Sequence, residues 1–262
     1  MKILVTGASG FVGKNLLDKL ENYEVNILSR KKISTNGINL FIGNLFDKEI
    51  LIEASKVDVV VHLAGITKGD VFKVNYQGTA NLVDVCVTNK VKKFIFISSY
   101  NAILDTKYGK SKRAAEDLIK NSELNYIILR PTVIYGRYNR KDLEKIISIL
   151  RKFSIAIVPG NGKMKLQPLF VEDLVDIIIK MIKSEKKNKI YFIGGEVLSF
   201  NEIIGKACKV FSKKAIKINI PRFIIKILDK SQLLDKTCNL DEIKKDFDFN
   251  PTSFEKGIKY LV

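Results

Sequence analysis

Three polar residues in the middle of the chain, Ser99, Tyr108 and Lys112, are spaced for proton transfer. Tyr108 and Lys112 are four residues apart, so on a helix they share one face about one turn apart. A tyrosine with a pKa near ~10 is a poor base at neutral pH, and a neighbouring ammonium group is expected to lower that pKa. Tyr108 is therefore the candidate that moves a proton on or off an oxygen atom of a bound molecule, and Ser99 can hydrogen-bond to the same oxygen.

A tyrosine–lysine pair at this spacing is common on exposed helices, so its meaning depends on a second feature near the start of the chain. Residues 2–6 predict a short apolar strand, which is followed by Gly7, Gly10 and Gly13 and by helix-spaced apolar residues from Phe11 onward. Between a strand and a helix, glycines at this spacing indicate a turn that binds a pyrophosphate. Gly7 allows the tight turn, Gly10 lets the pyrophosphate approach the backbone, and Gly13 lets helix and strand pack closely. The N-terminus of the helix then directs N–H groups and a positive dipole end at the phosphates.

Short apolar strands alternate with helices from residue 1 to about 135. The predicted strands are 2–6, 24–29, 38–42, 58–64, 93–98 and 125–130, and the main predicted helices are 47–55, 75–89 and 108–121. This alternation predicts an α/β fold with a doubly wound parallel sheet of the Rossmann type. Ligands of such sheets bind at the carboxyl ends of the strands, so the residues just after each strand are the candidates for binding.

Two basic residues, Arg30 and Lys31, follow the second predicted strand. An acidic residue at this point would accept the ribose hydroxyls of NAD, whereas a basic residue accommodates the 2′-phosphate of NADP. NADP is therefore favoured over NAD, and the competing interpretation is a solvated basic loop in a lysine-rich chain.

Composition narrows the class of protein. The chain has 262 residues, 46% of them hydrophobic and 28% charged, which suits either one globular domain or a domain with an additional small lobe. No apolar run reaches the ~18 residues that span a membrane, and the chain begins directly in a strand, so no secretory signal is expected. Cys86, Cys208 and Cys238 are far apart and suit neither a disulfide framework nor a zinc site. A cytoplasmic protein without a metal is expected.

The net charge of +17 raises the possibility of nucleic-acid binding, but the lysines are spread along the chain among acidic residues. No basic block interspersed with aromatic residues and no nucleic-acid motif occurs. A positive surface also attracts small anions such as nucleotides, which we favour over nucleic acid.

These motifs together resemble the extended short-chain dehydrogenases/reductases of the NAD(P)-dependent epimerase/dehydratase family. Thr6-Gly7-x-x-Gly10-x-x-Gly13 resembles the family's TGxxGxxG turn, and Ser99, Tyr108 and Lys112 match its catalytic triad, with Ser98 as the alternative if the register differs by one. Further similar segments are His62-Leu-Ala-Gly65, Asn75-x-x-Gly-Thr79, Arg130-Pro-x-x-Ile-Tyr-Gly136, Phe170-Val-Glu-Asp173 and Asp246-Phe-Asp-Phe-Asn-Pro251. The resemblance thus runs from residue 2 to about residue 260.

The resemblance implies a full set of site residues. Those implied for the cofactor, besides Tyr108 and Lys112, are Gly7, Ser9, Gly10, Phe11, Val12, Gly13, Arg30, Lys31, Asn44, Leu45, Leu63, Ala64, Gly65, Asn75, Pro131 and Val133. Those implied for the substrate are Ser99, Tyr135, Lys163, Lys165 and Gln167.

Four of the polar residues have more specific expected roles. Asn75 is expected to organise the backbone of the site. Asn44 stands where the family usually has an aspartate, and its amide oxygen can accept the same bond from the adenine amino group. Asp47 is expected to be a helix N-cap. His62, the only histidine, is expected to be a hydrogen-bonded core residue without a chemical role.

The predicted domains are a Rossmann domain at residues 1–194, with 136–165 contributing to the substrate lobe, and a small C-terminal substrate-binding lobe at 195–262. Within the lobe, the apolar segment 223–228 can be a membrane-surface or partner helix, but packing against the core of the lobe is favoured. The resemblance also implies a homodimer formed through the helices near Asn75 and Tyr108.

The chain departs from the family pattern between Ser99 and Tyr108. Only residues 100–107 separate the two, a shorter segment than sugar-nucleotide enzymes of the family usually have. Dehydratases of the family usually carry an Asp-Glu pair after the serine or threonine, whereas Tyr100-Asn101 stands here. The predicted function is therefore a NAD(P)-dependent epimerase or 4-keto reductase of a nucleoside-diphosphate sugar, with both reactions left open.

A second departure motivates two other functions. Many members have an arginine that binds the substrate diphosphate, where this chain offers Lys163 and Lys165. Gln167-Pro168 resembles atypical members that hold NADPH. The alternatives are therefore an NADPH-dependent reductase of a non-nucleotide carbonyl compound and a non-catalytic NADPH-binding scaffold or redox sensor, against which the intact Ser–Tyr–Lys set argues.

Overall fold

The computed structural model describes residues 1–32, 37–139, 142–221 and 234–261. The strands are β1 Lys2–Thr6, β2 Glu24–Ser29, β3 Asn39–Ile42, β4 Val59–His62, β5 Lys93–Ile97, β6 Tyr126–Pro131, β7 Ile134–Tyr135, β8 Ile155–Pro159, β9 Lys165–Leu166, β10 Leu169–Phe170, β11 Lys189–Ile193, β12 Leu198–Ser199 and β13 Ile216–Ile220. The predicted segment 223–228 lies outside the described residues.

The helices are α1 Phe11–Leu17, α2 Lys48–Ala54, α3 Gly78–Thr88, α4 Lys107–Lys120, α5 Asp142–Phe153, α6 Val171–Lys183, α7 Phe200–Val210, α8 Asp241–Phe247 and α9 Phe254–Ile258. A π-helical turn at Lys73–Gln77 leads into α3, and 3₁₀ turns lie at Tyr100–Ile103 and Lys259–Leu261. The helix predicted to begin at residue 75 therefore becomes α-helical only at Gly78. None of the described helices is both long and apolar enough to cross a membrane.

Two compact units divide the chain. The first consists of Met1–Arg130 and Val175–Tyr191, and the second of Pro131–Leu174 and Phe192–Val262. This division differs from the predicted boundary at residues 194 and 195. The chain enters the second unit at Pro131 but must return to the first, because β11 is a strand of the same sheet as β1 to β6.

The first unit is built on a seven-stranded sheet with the order β11-β6-β5-β4-β1-β2-β3. The pairings from β3 through β6 are parallel, and Val5 on the central strand lies between Ile27 and Val61. Ile3, Leu4 and Val5 are all fully buried, as expected of a strand covered by helices on both faces. The strand order reverses between β1 and β4, and this arrangement confirms the predicted Rossmann-type fold.

Among its described residues, the second unit contains three two-stranded sheets, in which β7 pairs with β10, β8 with β13 and β9 with β12. Its core includes an aromatic group in which Tyr135 packs against Phe170 and Phe254 at centroid distances of 5.6 and 5.2 Å. Helix α7 begins with a capping box, in which Ser199 and Glu202 bond each other's backbone N–H groups.

Candidate active site

The glycine turn between β1 and α1 has the geometry that its sequence predicts. Gly7 has a φ of +74°, and a Cβ added there would lie 2.7 Å from the backbone nitrogen of Ala64. A Cβ at Gly13 would lie 2.5 Å from the carbonyl oxygen of Gly7. Both positions therefore exclude any side chain. Ser9 and Gly10 are exposed at the tip of the turn, immediately before the first helical residue, Phe11.

The basic residues after β2 lie at the same edge of the sheet, because β2 is the direct neighbour of β1. Arg30 and Lys31 are both exposed, and the Ser29 hydroxyl donates a 2.8 Å hydrogen bond to the carbonyl oxygen of Lys31. This bond turns the chain sharply as it leaves the strand. Two exposed cationic residues thus follow the strand next to β1, at the same edge of the sheet as the glycine turn.

The segment after β3 corrects one expectation. Asp47 occupies the N-cap position of α2, but its side chain makes no cap hydrogen bond. Its carboxylate instead accepts bonds from the backbone N–H and the side-chain amide of Asn44, at 2.7 and 2.6 Å. The Asn44 oxygen in turn accepts the N–H of Phe46 at 2.8 Å. Both ends of the Asn44 amide are therefore used locally, and an adenine amino group would have to share its oxygen.

Asn75, expected to organise the backbone of the site, and His62, expected to be a hydrogen-bonded core residue, are both buried. Asn75 accepts the N–H of Ile66 at 2.8 Å and donates to the Ile66 carbonyl at 2.9 Å and to the Ser111 hydroxyl at 3.0 Å. It thereby joins the loop after β4 to helix α4. His62 bridges the hydroxyls of Thr6 and Thr79 at 2.6 and 2.9 Å. Burial lowers the pKa of His62 to about 3, so this histidine is neutral.

Ser99, the first residue of the predicted triad, is distinguished from its neighbour by its contacts. Ser98 is buried, and its hydroxyl bonds to the carboxylate of Glu116. The hydroxyl of Ser99 accepts the N–H of Asn101 at 3.1 Å and lies close enough to the Tyr108 hydroxyl to lower the pKa of Tyr108. The structure therefore groups Ser99, and not Ser98, with Tyr108.

Lys112 is buried behind this pair. Its ammonium group donates a 2.8 Å hydrogen bond to the carbonyl oxygen of Ile97 and lies 4.2 Å from the centre of the Phe96 ring. Only 3% of the residue is exposed. Burial lowers the pKa of Lys112 to about 7, against an opposing effect of Glu116. The pair of Lys112 and Tyr108 thus shares one helix face, as the spacing predicted.

The pKa of Tyr108 does not behave as predicted. A neighbouring ammonium group was expected to lower it, but burial raises the pKa of Tyr108, and the hydrogen bond from Ser99 only partly opposes this effect. The physical reason is that both Tyr108 and Lys112 are removed from water, which penalises the phenolate and the ammonium ion alike. At neutral pH Tyr108 therefore keeps its proton.

Small residues leave space beside Lys112. Gly65 is exposed, and a Cβ there would lie 3.7 Å from the Lys112 ammonium and 3.1 Å from the Asn75 oxygen. Leu63 begins the loop that follows β4. It donates its N–H to the carbonyl oxygen of Thr6 at 3.1 Å, and this bond holds the start of the loop against β1. Leu45 is buried, and its carbonyl oxygen accepts a bond from the side chain of Asn81.

Of the remaining predicted residues, Val12 lies in α1 of the first unit. The others belong to the second unit, although Pro131 is also the last residue of β6. Lys163 and Lys165 are exposed, and Val133 accepts the N–H of Leu169 on its carbonyl oxygen. Tyr135 was expected to contact the substrate, but it is completely buried in the aromatic core. Its ring therefore presents no surface to a ligand in this structure, and the expected substrate contact stays a prediction.

Gln167 is also committed to protein contacts. It is 2% exposed, and its side-chain oxygen accepts the backbone N–H of Cys238 at 2.8 Å. It nevertheless lines a cavity of about 560 Å³ in the second unit, together with Glu196, Lys206 and Cys238. A substrate contact of Gln167 would therefore have to come from this cavity.

No role was assigned from the sequence to two charged residues close to the site, Glu116 and Arg130. Glu116 is 1% exposed and forms a two-oxygen ion pair with Arg130, whose Nε and Nη2 donate to it at 3.0 and 2.5 Å. The available signal was an acidic residue four positions after Lys112, on the same helix face, and an arginine at the end of the following strand.

A Rossmann-type sheet with a glycine turn at its switch point and a Ser–Tyr–Lys group at the ends of its strands defines a class of dinucleotide-dependent proteins. The model of the NAD dependent epimerase/dehydratase family matches residues 3–194. The chain therefore belongs to this family.

Two curated relatives and one solved structure illustrate the likeness. The dTDP-D-glucose 4,6-dehydratase of Dictyostelium discoideum is 29% identical over 251 residues, which cover 74% of this chain and 58% of that protein. The UDP-2-acetamido-2,6-beta-L-arabino-hexul-4-ose reductase of Pseudomonas aeruginosa is 30% identical over 206 residues, covering 72% and 52%. The match thus spans little more than half the length of either relative.

The structural likeness extends over nearly the whole chain. The UDP-glucuronic acid 4-epimerase of Bacillus cereus, solved with UDP-glucuronic acid and NAD, has a TM-score of 0.83. It is 22% identical, and the match covers 99% of this chain and 97% of that one. At this identity the likeness shows the fold, and the ligands named are those of the Bacillus enzyme.

Proposed function

We propose that the protein catalyses NAD(P)-dependent hydride transfer on a nucleoside-diphosphate sugar, as a 4-keto reductase or a 4-epimerase. The observation that carries this proposal is the grouping of Ser99, Tyr108 and Lys112 at the carboxyl edge of the sheet. Membership of the family supports the cofactor class, and the names of the relatives support the substrate class.

The residues at this edge fit a dinucleotide. The turn at Gly7 and Gly13 holds backbone where no side chain could lie, and Gly65 leaves space beside the Lys112 ammonium. The exposed tip of the turn would hold the pyrophosphate, and Lys112 would bind hydroxyls of the nicotinamide ribose. When bound, the nicotinamide supplies or accepts the hydride.

Tyr108 is in the protonated form that reduction requires. Because burial raises its pKa, Tyr108 can donate a proton to a carbonyl oxygen, while Ser99 holds the same oxygen by a hydrogen bond. An epimerase must also remove a proton from a hydroxyl group at the same position. The raised pKa therefore favours a reductase over an epimerase in our proposal.

A dehydratase is disfavoured, although the family includes such enzymes. Elimination of water needs an acid and a base near the substrate, and the two residues after Ser99 are Tyr100 and Asn101. Tyr100 is buried, and the backbone of Asn101 is bonded to Ser99. No carboxylic acid occupies this place in the chain.

Cofactor preference and assembly form part of the proposal. The exposed Arg30 and Lys31 at the end of β2 support NADP over NAD, since both can bind a 2′-phosphate. A homodimer is proposed from the family resemblance, with the helices near Asn75 and Tyr108 at the interface.

The first experiment is mass analysis of any ligand that purifies with the protein, followed by fluorescence titration with NADPH and NADH. Tight retention of NAD would favour the epimerase and contradict the role of Arg30. An empty protein that prefers NADPH would favour the reductase. Binding of neither dinucleotide would refute the proposed function.

A thermal-shift series tests the substrate class. Stabilisation by UDP- or dTDP-sugars supports the proposal. A lack of effect, with cofactor binding intact, would favour a reductase of a non-nucleotide carbonyl, in keeping with the short segment between Ser99 and Tyr108. A protein whose cofactor-dependent activities all survive Tyr108→Phe would be a scaffold or redox sensor.

A further inference from the structure

A buried group of charged and polar side chains lies directly beside the proposed catalytic residues. It consists of Ser98, which directly follows β5, Glu116 on α4 and Arg130 on β6. We name these three residues the Glu116 cluster. Glu116 is 1% exposed, and the Arg130 side chain is 17% exposed. Buried charges are costly, so this cluster requires a reason beyond stability.

Each contact of the cluster leads to a residue of the site. Ser98, whose hydroxyl bonds to Glu116, is the peptide neighbour of Ser99. Glu116 is four residues after Lys112 on α4, so the two side chains lie on the same helix face. The Lys112 ammonium is bonded to the carbonyl oxygen of Ile97, the residue immediately before Ser98.

We propose that Glu116 is a positioning residue of the site, which acts on Lys112 through its charge and on Ser99 through Ser98. This inference rests on the proposed function, because it assigns Glu116 a part in holding the Ser99–Tyr108–Lys112 group ready for a dinucleotide and a carbonyl substrate. Arg130 fixes the carboxylate through two nitrogen atoms, so that one oxygen remains directed at Ser98.

The negative charge of Glu116 acts on the protonation of Lys112. Burial lowers the pKa of Lys112 to about 7, and the negative charge of Glu116 raises it. Among the described residues, Tyr108 on the same helix and His62 on β4 also lie near Lys112, and both are neutral at pH 7, whereas the positive charge of Arg130 is paired with Glu116. The charge of Glu116 therefore favours the cationic form of Lys112 against the larger effect of burial.

The test is to measure the ionisation of Lys112 directly in the cofactor-free protein. With lysine labelled by ¹³C at the ε-carbon, the Lys112 resonance is identified by its absence in Lys112→Met and followed between about pH 5 and about pH 10. The wild-type resonance is expected to titrate near pH 7, because burial lowers the pKa of Lys112 to about 7. Glu116→Gln is expected to lower the midpoint by about one pH unit or more.

Two further variants separate charge from structure. Asp117→Asn removes a carboxylate from the adjacent position of the same helix, where Asp117 pairs with the partly exposed Lys120 at 2.7 Å, and is expected to leave the Lys112 midpoint unchanged. Because Glu116→Gln removes one half of a buried ion pair and can prevent folding, Glu116→Gln with Arg130→Gln is made as well. The double variant also loses the positive charge of Arg130, so its Lys112 midpoint is expected to fall by less than in Glu116→Gln alone. Glu116→Asp keeps the negative charge, so its midpoint is expected to lie close to that of the wild type.

Cofactor titration then distinguishes a failure of the Glu116 proposal from a failure of the proposed function. NADPH affinity of the wild type is expected to fall as Lys112 loses its proton, and this fall is expected to begin at lower pH in the variants without Glu116. A Lys112 midpoint that is the same in the wild type and in both Glu116→Gln proteins would overturn this inference, whatever the cofactor does. A wild type that binds no dinucleotide at any pH would instead refute the proposed function, while the Lys112 titration would still report on the cluster.

Discussion

At the scale of single residues, the site depends on how burial changes proton affinity. Tyr108 and Lys112 are the residue types expected for proton transfer next to a dinucleotide, but removal from water shifts both pKa values toward the neutral forms. Ser99 partly opposes this shift by bonding to Tyr108. The catalytic roles of the three residues stay predictions, and the following substitutions test them.

Replacing Tyr108 by phenylalanine removes the proton donor and keeps the ring. We expect Tyr108→Phe to lower kcat by about 10²-fold or more, the usual contribution of a general acid, with little change in NADPH affinity. The measurement is steady-state kinetics on a keto-sugar nucleotide alongside NADPH titration. Tyr23→Phe, a tyrosine outside the site, serves as the control and should retain full activity. Equal kcat values for the two variants would remove Tyr108 from the mechanism.

Replacing Arg30 by alanine tests the cofactor preference. Loss of a charge-assisted contact to the 2′-phosphate should weaken NADPH binding by about 10-fold or more and leave NADH binding nearly unchanged. Dissociation constants from nucleotide fluorescence provide the measurement. Lys32→Ala removes a charge of the same sign two residues further on and controls for general attraction. If both variants weaken NADPH and NADH equally, Arg30 is part of a solvated basic loop.

At the scale of secondary-structure elements, the turn between β1 and α1 carries the strongest steric constraint. The sequence already identifies this turn, because glycines at fixed spacing lie between an apolar strand and an apolar helix. The structure supplies the reason: a Cβ at Gly7 or Gly13 would meet backbone atoms, which cannot rotate away as a flexible side chain can.

Two glycine-to-alanine changes on helices should therefore have opposite effects. Gly13→Ala is expected to destabilise the protein by about 1–3 kcal/mol and to weaken dinucleotide binding, because its Cβ would lie 2.5 Å from the Gly7 carbonyl oxygen. Gly205→Ala, on α7, meets no atom within 4 Å and should stabilise by roughly 0.5–1 kcal/mol. Urea unfolding curves measure both. A stabilising Gly13→Ala would mean that α1 can move away from β1.

At the scale of the whole molecule, one buried residue of the first unit affects acid stability. The first unit buries His62 and lowers its pKa. Protonation of His62 must therefore be accompanied by loss of native structure. His62 is fully buried and its pKa is about 3, well below the ordinary 6.5. Its contribution to stability is fully present above about pH 6.5 and is lost as the pH falls toward 3, because only the unfolded chain takes up the proton readily.

His62→Gln, which can still bond to Thr6 and Thr79, tests this effect in a chain that then contains no histidine. Between pH 7 and pH 5 the wild type should lose about 2 kcal/mol more unfolding free energy than the variant. Urea unfolding of both proteins at the two pH values provides the measurement, and the carboxylates common to both cancel in the comparison. Equal losses would show that His62 is protonated in the native state.

The sequence by itself determined the strands of the first unit, the glycine turn and the spacing of Tyr108 and Lys112, because these depend on local periodicity and on close neighbours along the chain. It also placed Arg30 and Asn75, since residues that follow parallel strands or begin the next helix occupy predictable places. The family resemblance agreed with the family model over residues 3–194.

Only the tertiary structure decided which groups lose contact with water and which distant side chains meet. It selected Ser99 over Ser98, reversed the expected direction of the Tyr108 pKa, and buried Tyr135 in an aromatic core. It also paired Glu116 with Arg130. Such outcomes depend on the packing of residues far apart in the chain, and burial sets the free energy of a charge more strongly than sequence spacing does.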